Sequence, residues 1–348
     1  MTDAVMSIPS NFSAAIIGAG PMGLSLAALL GRHLPVTLVV RDARRAEYIA
    51  SHGVAVEGLM TGRAFPRVVR SIAALSEGPP PDAIFVATKT TAIDAVAEAL
   101  SPCLADFARE RSAGTGGDSH VISFQNGIDP GRDLRVRLGC PRVLRMVLNY
   151  GASQIGPVTA RVVMNTPPHY VGGPDAAQAG IAYPLASVLS HTGLDTRAVD
   201  DIEPFVWTKG LLNAATNPVA ALTDSTIGGV LDSPARIIVQ RLLEEGLNVA
   251  EAEGIDLGEN ILARMWAILK GAHEHIPSMV ADIRGARESE VGQLNRQVIR
   301  HGQRFGIPTP SHEIVTALID AFDWRVFERD RSDASKRYLE KDVLHAHQ

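Results

Sequence analysis

Ala14-Ala-Ile-Ile-Gly18-Ala-Gly20-Pro-Met-Gly23-Leu-Ser-Leu-Ala-Ala-Leu-Leu30 is the stretch on which the reading of the whole chain turns. Four apolar residues come first. Three glycines follow within six positions, and then an uncharged apolar run. The spacing Gly18-x-Gly20-x-x-Gly23 fits a strand, a tight turn and a helix. The first glycine permits the turn, the second lets the backbone approach a pyrophosphate, and the third lets helix and strand pack closely. The start of such a helix offers free N–H groups and the positive end of its dipole to phosphate. Gly18, Ala19, Gly20, Pro21, Met22 and Gly23 are therefore candidate dinucleotide-binding residues.

The same run is long enough to be mistaken for a membrane span or a signal peptide. No Lys or Arg precedes it, so the positive segment of a signal peptide is lacking. Its clustered glycines and Pro21 also interrupt the continuous helix that a span requires. A buried strand and a buried helix account for it better, with residues through Phe12 as a loose leader.

Outward from this unit, strand and helix signals alternate. Val36–Val40, Asp82–Thr88, His120–Phe124 and Val143–Leu148 read as strands. Thr91–Leu100 and Asp129–Leu138 read as helices, and Arg109–Ser119, rich in charge, Gly and Ser, as a surface loop. Short strands are expected over Val158–Val171 and a helix over Tyr183–Leu189. Alternation of this kind gives an α/β fold with a parallel sheet covered by helices on both faces. The first domain, residues 1–200, is thus expected to be a Rossmann dinucleotide-binding domain. From Glu203 onward the pattern is helical, so residues 201–348 form an expected all-α domain. Ser233 with Pro234 marks the start of one helix and Gly254 its end. Ile237, Ile238, Leu242 and Leu247 form the apolar stripe between them. Another helix ends at Gly306, and the tail from Arg325 is highly charged.

Composition narrows the function. The 348 residues carry 33 basic and 38 acidic side chains, a net charge of -5, which argues against a nucleic-acid binder or a polybasic membrane-surface protein. Two cysteines, Cys103 and Cys140, are too few for a disulfide framework and read as reduced thiols of a cytoplasmic protein.

The residue after the second strand selects the nucleotide. Arg41 stands there, and a guanidinium suits a 2′-phosphate and stacks on adenine, so NADP is expected. Asp42 would serve NAD instead if the strand ended differently. Arg44 and Arg45 read as a solvated helix face. Lys89 and Asn126 follow two strands whose carboxyl ends line a cofactor crevice, and each reads equally well as a ligand contact or a loop residue.

Trp207-Thr-Lys209-Gly-Leu-Leu-Asn213-Ala-Ala-Thr-Asn217-Pro218 is the stretch expected to carry the chemistry, the other reading being a solvated polar stripe. Steps of four advance only about 40° around a helix, so Lys209, Asn213 and Asn217 share one face. Such polar groups on an apolar helix are costly unless they meet partners or a ligand. Pro218 points to a kink or an end at Asn217. A cationic lysine beside a ketone oxygen stabilises the developing alkoxide and protonates it. Ser278 and Glu290, taken alone, read as helix caps.

Taken in order, these residues, together with Gln125-Asn126-Gly127, Tyr150-Gly-Ala152, Gly156-Pro157 and Ser278-Met…Asp282…Gly285…Glu290, resemble the ketopantoate reductase (2-dehydropantoate 2-reductase) family from about Ala14 to Ile319. The resemblance implies a C-terminal domain like that of 6-phosphogluconate dehydrogenase. It also implies NADPH-dependent reduction of ketopantoate to pantoate, a step of pantothenate and coenzyme A biosynthesis. Lys209 would be the general acid and Glu290 its partner, also close to the cofactor. Asn213, Asn217 and Ser278 would hold the substrate, with Asn126 between substrate and cofactor. Arg41 and Lys89 would contact the 2′-phosphate end of NADP, and Ala152 the nicotinamide side.

Ile227-Gly228 departs from the family pattern, which places Asn before this glycine, and Met164–Pro168 lacks the usual glycines. A reductase of another 2-keto acid is therefore the main alternative. A β-hydroxyacid dehydrogenase would carry an Asp-x-Pro-x-Ser-Gly-Gly type motif, which is lacking. A non-catalytic NADP sensor would not need Lys209 and Glu290. No metal is expected, because His273 and His275, two apart on an expected helix, point away from each other. Expected partners are a small 2-keto acid and, through apolar helix faces of the second domain, a second copy of the chain.

Overall fold

A computed structural model describes residues 12–112, 118–173 and 179–328. The leader before Phe12 and the tail from residue 329 lie outside them. The chain divides into two compact units, Met1–Val206 and Trp207–Gln348.

In the first unit, β1 (Ala14–Ile17), α1 (Pro21–Leu30) and β2 (Val36–Val39) open a doubly wound sheet. It continues through α2 (Ala43–His52), β3 (Val54–Gly58), β4 (Gly62–Ala64), β5 (Arg67–Val69), β6 (Ala83–Val86), α3 (Ile93–Ser112), β7 (His120–Ser123), α4 (Pro130–Leu138) and β8 (Val143–Val147). The unit closes with β9 (Tyr150–Gln154), β10 (Thr159–Asn165), β11 (His169–Gly172), α5 (Ala179–His191) and β12 (Thr196–Ala198). Eight strands run in the order β12-β11-β8-β7-β6-β1-β2-β5. All neighbours pair parallel except β11 with β8, which is antiparallel and departs from the all-parallel expectation.

Burial on both faces explains the unbroken apolar run of β1. Ala14 and Ile16 belong to one core cluster, while Ala15 and Ile17 belong to the other, with Val96, Leu100 and Phe107 of α3. A second sheet, β4-β3-β10-β9, was not foreseen. It packs on the far side of α1, whose residues Gly23–Leu30 are all buried. A helix enclosed between two sheets has no polar face. That enclosure is what gave Ala14–Gly31 the look of a membrane span. No described helix is long and apolar enough to cross a membrane.

The helix after β6 is longer than its periodicity implied. It passes Pro102 and runs to Ser112, so Arg109–Ser112 is helix rather than loop, and residues 113–117 lie outside the described set. Cys103, on its buried face, and Cys140 are both unpaired thiols.

The second unit is built from α6 (Glu203–Thr223, whose first turn belongs to the first unit), α7 (Ile227–Leu231), α8 (Arg236–Ala252), α9 (Ile261–Gly271), α10 (Ser278–Arg284), α11 (Asn295–Phe305) and α12 (Pro310–Asp323). No strand occurs among the described residues after Glu203. Three expectations are corrected here. α6 does not end at Asn217 but continues through Pro218 to Thr223. α8 starts at Arg236 rather than after Ser233, because the Ser233 hydroxyl donates to Val230 O and accepts from Ala235 N, closing the turn after α7. Ile237 and Ile238 are exposed, and the buried stripe of α8 runs through Val239, Leu242, Leu243, Gly246 and Val249. α11 ends at Gly306 in the left-handed conformation, as its sequence requires.

The packing of β1 against α1 makes a prediction. A Cβ at residue 23 would lie 1.9 Å from the Gly18 carbonyl oxygen, whereas one at residue 20 meets nothing within 4 Å. Gly23→Ala is expected to lower the unfolding free energy by about 2–3 kcal/mol in urea titrations. Gly20→Ala, made at a position with ordinary extended backbone, is expected to change it by less than about 1 kcal/mol.

Candidate active site

The carboxyl ends of β1, β6 and β7 bring three sequence-selected segments together. Gly18, with φ at +112°, abuts the peptide oxygen of Ala87 and the methyl of Thr88. Across from it, the buried Gln125 side chain donates to Thr88 O at 3.1 Å and lies 3.3 Å from Lys89 O. The Lys89 and Asn126 loops are thus stitched together beside the glycine turn. Lys89 is exposed and Asn126 half-buried.

No side chain caps the first turn of α1, whose N-cap is Gly20 and whose first residue is Pro21. Together with the open space at Gly20, this fits a pyrophosphate seated on the helix N-terminus. The turn is fixed from two sides. Tyr150 on β9 donates to Ser25 Oγ at 2.9 Å, and Ser25 in turn donates to Met22 O at 2.9 Å. Burial pushes the Tyr150 phenol up to about 12, so it stays a neutral donor. Ala152, two residues along β9, is half-buried and packs on the same core.

The end of β2 differs in part from the sequence reading. Arg41 is exposed. Asp42 caps α2 by accepting from Arg45 N at 2.7 Å through one carboxylate oxygen. Arg45 is not on a solvated face. Its guanidinium donates to Ala19 O within the glycine turn and to Pro157 O, at 3.1 Å, in the turn between β9 and β10. Desolvation lowers its pKa. Arg44 is exposed, as expected.

Arg145 was not foreseen. Its fully buried guanidinium lies under the Gln125-Asn126-Gly127 loop and donates to Gln125 O, to Gly127 O at 2.9 Å and to Ser123 Oγ at 3.0 Å. Desolvation lowers its pKa to about 10, opposed by the carboxylates of Glu203 and Asp129, and it remains cationic at neutral pH. The clue was a lone arginine inside the apolar strand Val143-Leu-Arg-Met-Val147.

In the second unit, Lys209, Asn213 and Asn217 share α6. Lys209 and Asn213 are half-buried and Asn217 is buried. Leu211 packs against Gly246 of α8, and Trp207 is wholly enclosed with its ring against His301. Ser278 is the exposed first residue of α10. Glu290 is half-buried just before the short turn Val291–Gln293. Nearby, Arg287 holds the buried Asp282 carboxylate at 2.9 Å. Ile227 is buried and begins α7. His273 and His275 lie beyond α9 rather than on it. His273 sits between Asp232 and Glu274, whose carboxylates raise its pKa, and half-buried His275 is lowered by desolvation.

Residues 14–172 match the family model for ketopantoate reductase PanE/ApbA, and residues 201–323 match the model for its C-terminal part. The chain belongs to the ketopantoate reductase family. It is accordingly an oxidoreductase, with a Rossmann domain followed by a helical one. A 2-dehydropantoate 2-reductase of Archaeoglobus fulgidus is 28% identical over 307 residues, covering 87% of this chain and 95% of that one. The crystal structure of a ketopantoate reductase from Ralstonia eutropha JMP134 has a TM-score of 0.78 at 23% identity, covering 90% of this chain and 99% of that one. D-mandelate dehydrogenase with NADH and anilino(oxo)acetate has the same fold, with a TM-score of 0.76, 22% identity and coverage of 90% and 99%.

Two predictions follow from the buried cations and bases of this family member. Arg145→Met removes the donors that hold the Gln125 and Gly127 carbonyls and the Ser123 hydroxyl, and is expected to cost about 3 kcal/mol of stability in urea titrations. His312, buried and held by Leu242 O at 2.9 Å, has its pKa lowered from 6.5 to about 4 by desolvation. Below its unfolded pKa the unfolded chain binds the extra proton, so stability is full above about pH 6.5 and falls toward pH 4. The loss is expected to be about 3 kcal/mol over that range. His312→Asn should flatten this segment of the stability profile.

Proposed function

We propose that the protein is an NADPH-dependent 2-keto acid reductase whose substrate is ketopantoate, reduced at C2 to pantoate. The observation that carries the proposal is the single unbroken helix presenting Lys209, Asn213 and Asn217 at steps of four, in a chain that matches the family in both halves. The name of the Archaeoglobus fulgidus relative, 2-dehydropantoate 2-reductase, supports this substrate.

In this reading the first unit binds the nucleotide. Gly18–Gly23 and the start of α1 take the pyrophosphate, Arg41 and Lys89 the 2′-phosphate, and the Asn126 loop and Ala152 the nicotinamide side. Arg41, exposed at the end of β2, supports NADP over NAD, because a guanidinium suits a 2′-phosphate. The bound cofactor supplies the hydride. Lys209 stabilises the negative charge that develops on the C2 oxygen and delivers the proton. Glu290 sets the position and charge of Lys209. Asn213, Asn217 and Ser278 orient the hydroxyl and carboxylate of the substrate, with Asn126 between substrate and nicotinamide.

Ile227 favours a second reading. An apolar residue stands where the family places Asn, which supports a 2-keto acid lacking a matching polar group. D-mandelate dehydrogenase, of the same fold, is solved with anilino(oxo)acetate.

The test follows NADPH oxidation by absorbance with ketopantoate and a panel of other 2-keto acids. Ketopantoate is expected to give the highest kcat/KM, and Lys209→Ala to lower kcat by about 10²–10⁴-fold. Preference for another acid would transfer the assignment to that substrate, and an unchanged kcat in the variant would remove Lys209 from its role.

A further inference from the structure

Pro218 poses a problem for α6. A proline has no peptide N–H, and its ring crowds the carbonyl four residues back. The carbonyl concerned is that of Ala214, a buried residue between Asn213 and Asn217. Left without a donor in the interior, such a carbonyl is costly.

The donor comes from outside the helix. Asn295, the first residue of α11 and fully buried, directs its side-chain amide Nδ2 at Ala214 O over 2.8 Å. Its second amide hydrogen points to His312 Nδ1 at 3.1 Å. His312 lies on α12, and its Nε2 is 2.9 Å from Leu242 O on α8. A carbonyl can only accept, so Nε2 carries the ring proton and Nδ1 is the acceptor. That fixes the Asn295 amide with its nitrogen toward both Ala214 and His312. Glu245 on α8 then sets the start of α12, accepting from Ser311 N at 3.0 Å and His312 N at 3.2 Å. Each polar group in the chain from Glu245 to Ala214 has its orientation set by the next.

We propose that Asn295 is a positioning residue of the reductase. Its side-chain amide replaces the peptide donor that Pro218 lacks, which holds α6 in helical register across Asn217. His312 orients that amide. The inference rests on reading α6 as the helix that carries Lys209, Asn213 and Asn217 to the substrate.

The test is a cycle of four full-length proteins: wild type, Asn295→Leu, Pro218→Ala and the double variant. Pro218→Ala returns an N–H to Ala214 O and so removes the need for Asn295. Two readouts are taken: amide hydrogen exchange of residues 211–222 by mass spectrometry, and kcat and KM for NADPH-dependent reduction of whichever 2-keto acid the wild type turns over. Asn295→Leu is expected to raise the exchange rate and to lower kcat/KM for the keto acid, each by about tenfold. The KM for NADPH is expected to stay the same. Adding Pro218→Ala is expected to bring both back close to the values of Pro218→Ala alone. If Asn295→Leu does not fold, Asn295→Asp, of the same shape without the donor, replaces it. Wild-type exchange and kinetics in the Asn295 variant, or failure of Pro218→Ala to rescue it, overturns the proposal. If the wild type reduces no 2-keto acid at all, the proposed function falls. Rescue of exchange then still decides for Asn295 as the substitute donor, and its absence against.

Discussion

The tightest constraint in the molecule is the approach of α1 to β1, where the backbone of Gly23 lies against the Gly18 carbonyl with no space for a Cβ. That contact sets where α1 leaves the sheet and where its uncapped N-terminus points. The helix is then enclosed by the second sheet on its other side, so its position is fixed by two layers. From it follow the place of the Tyr150–Ser25 pair, the Arg45 link from the glycine turn to Pro157, and the closeness of the Thr88 and Gln125 loops. A nucleotide-binding edge at the carboxyl ends of parallel strands follows from this one packing decision.

A second theme recurs in both units: a buried or half-buried polar side chain answers a break in backbone hydrogen bonding. Arg145 satisfies the carbonyls of the loop bearing Asn126. Asn295 satisfies the carbonyl that Pro218 leaves open. Glu245 satisfies the first N–H groups of α12. In each case the segment served lies beside a candidate site residue or the network that supports one. Low-dielectric surroundings make such bonds strong when complete and costly when one member is lost.

The glycine turn, the alternating first half and the helical second half were legible because each has a local signature. β1, α1 and the end of α11 fall where periodicity, Gly and Pro place them. β3, β4 and β5 were missed because they are short: β3 is held by β10, far along the chain, while β4 and β5 are edge strands beside β3 and β2. That α6 does not end at Asn217 could not be read locally, because a donor to Ala214 O sits on α11, far away in sequence. Arg45 was read as solvated because its acceptor Pro157 is equally remote. The Lys209-Asn213-Asn217 stripe could be read from spacing alone, whereas Ser278 and Glu290 rested on resemblance.

The central claim is that this chain reduces a 2-keto acid at C2 with a reduced nicotinamide nucleotide, and transfer of label tests it most directly. Wild-type protein would be incubated with NADPH deuterated at the transferable C4 position and ketopantoate, and the product analysed by proton NMR and mass spectrometry. The account predicts pantoate carrying one deuterium at C2. Full binding of NADPH without any labelled 2-hydroxy acid, from ketopantoate or from other 2-keto acids, would contradict it.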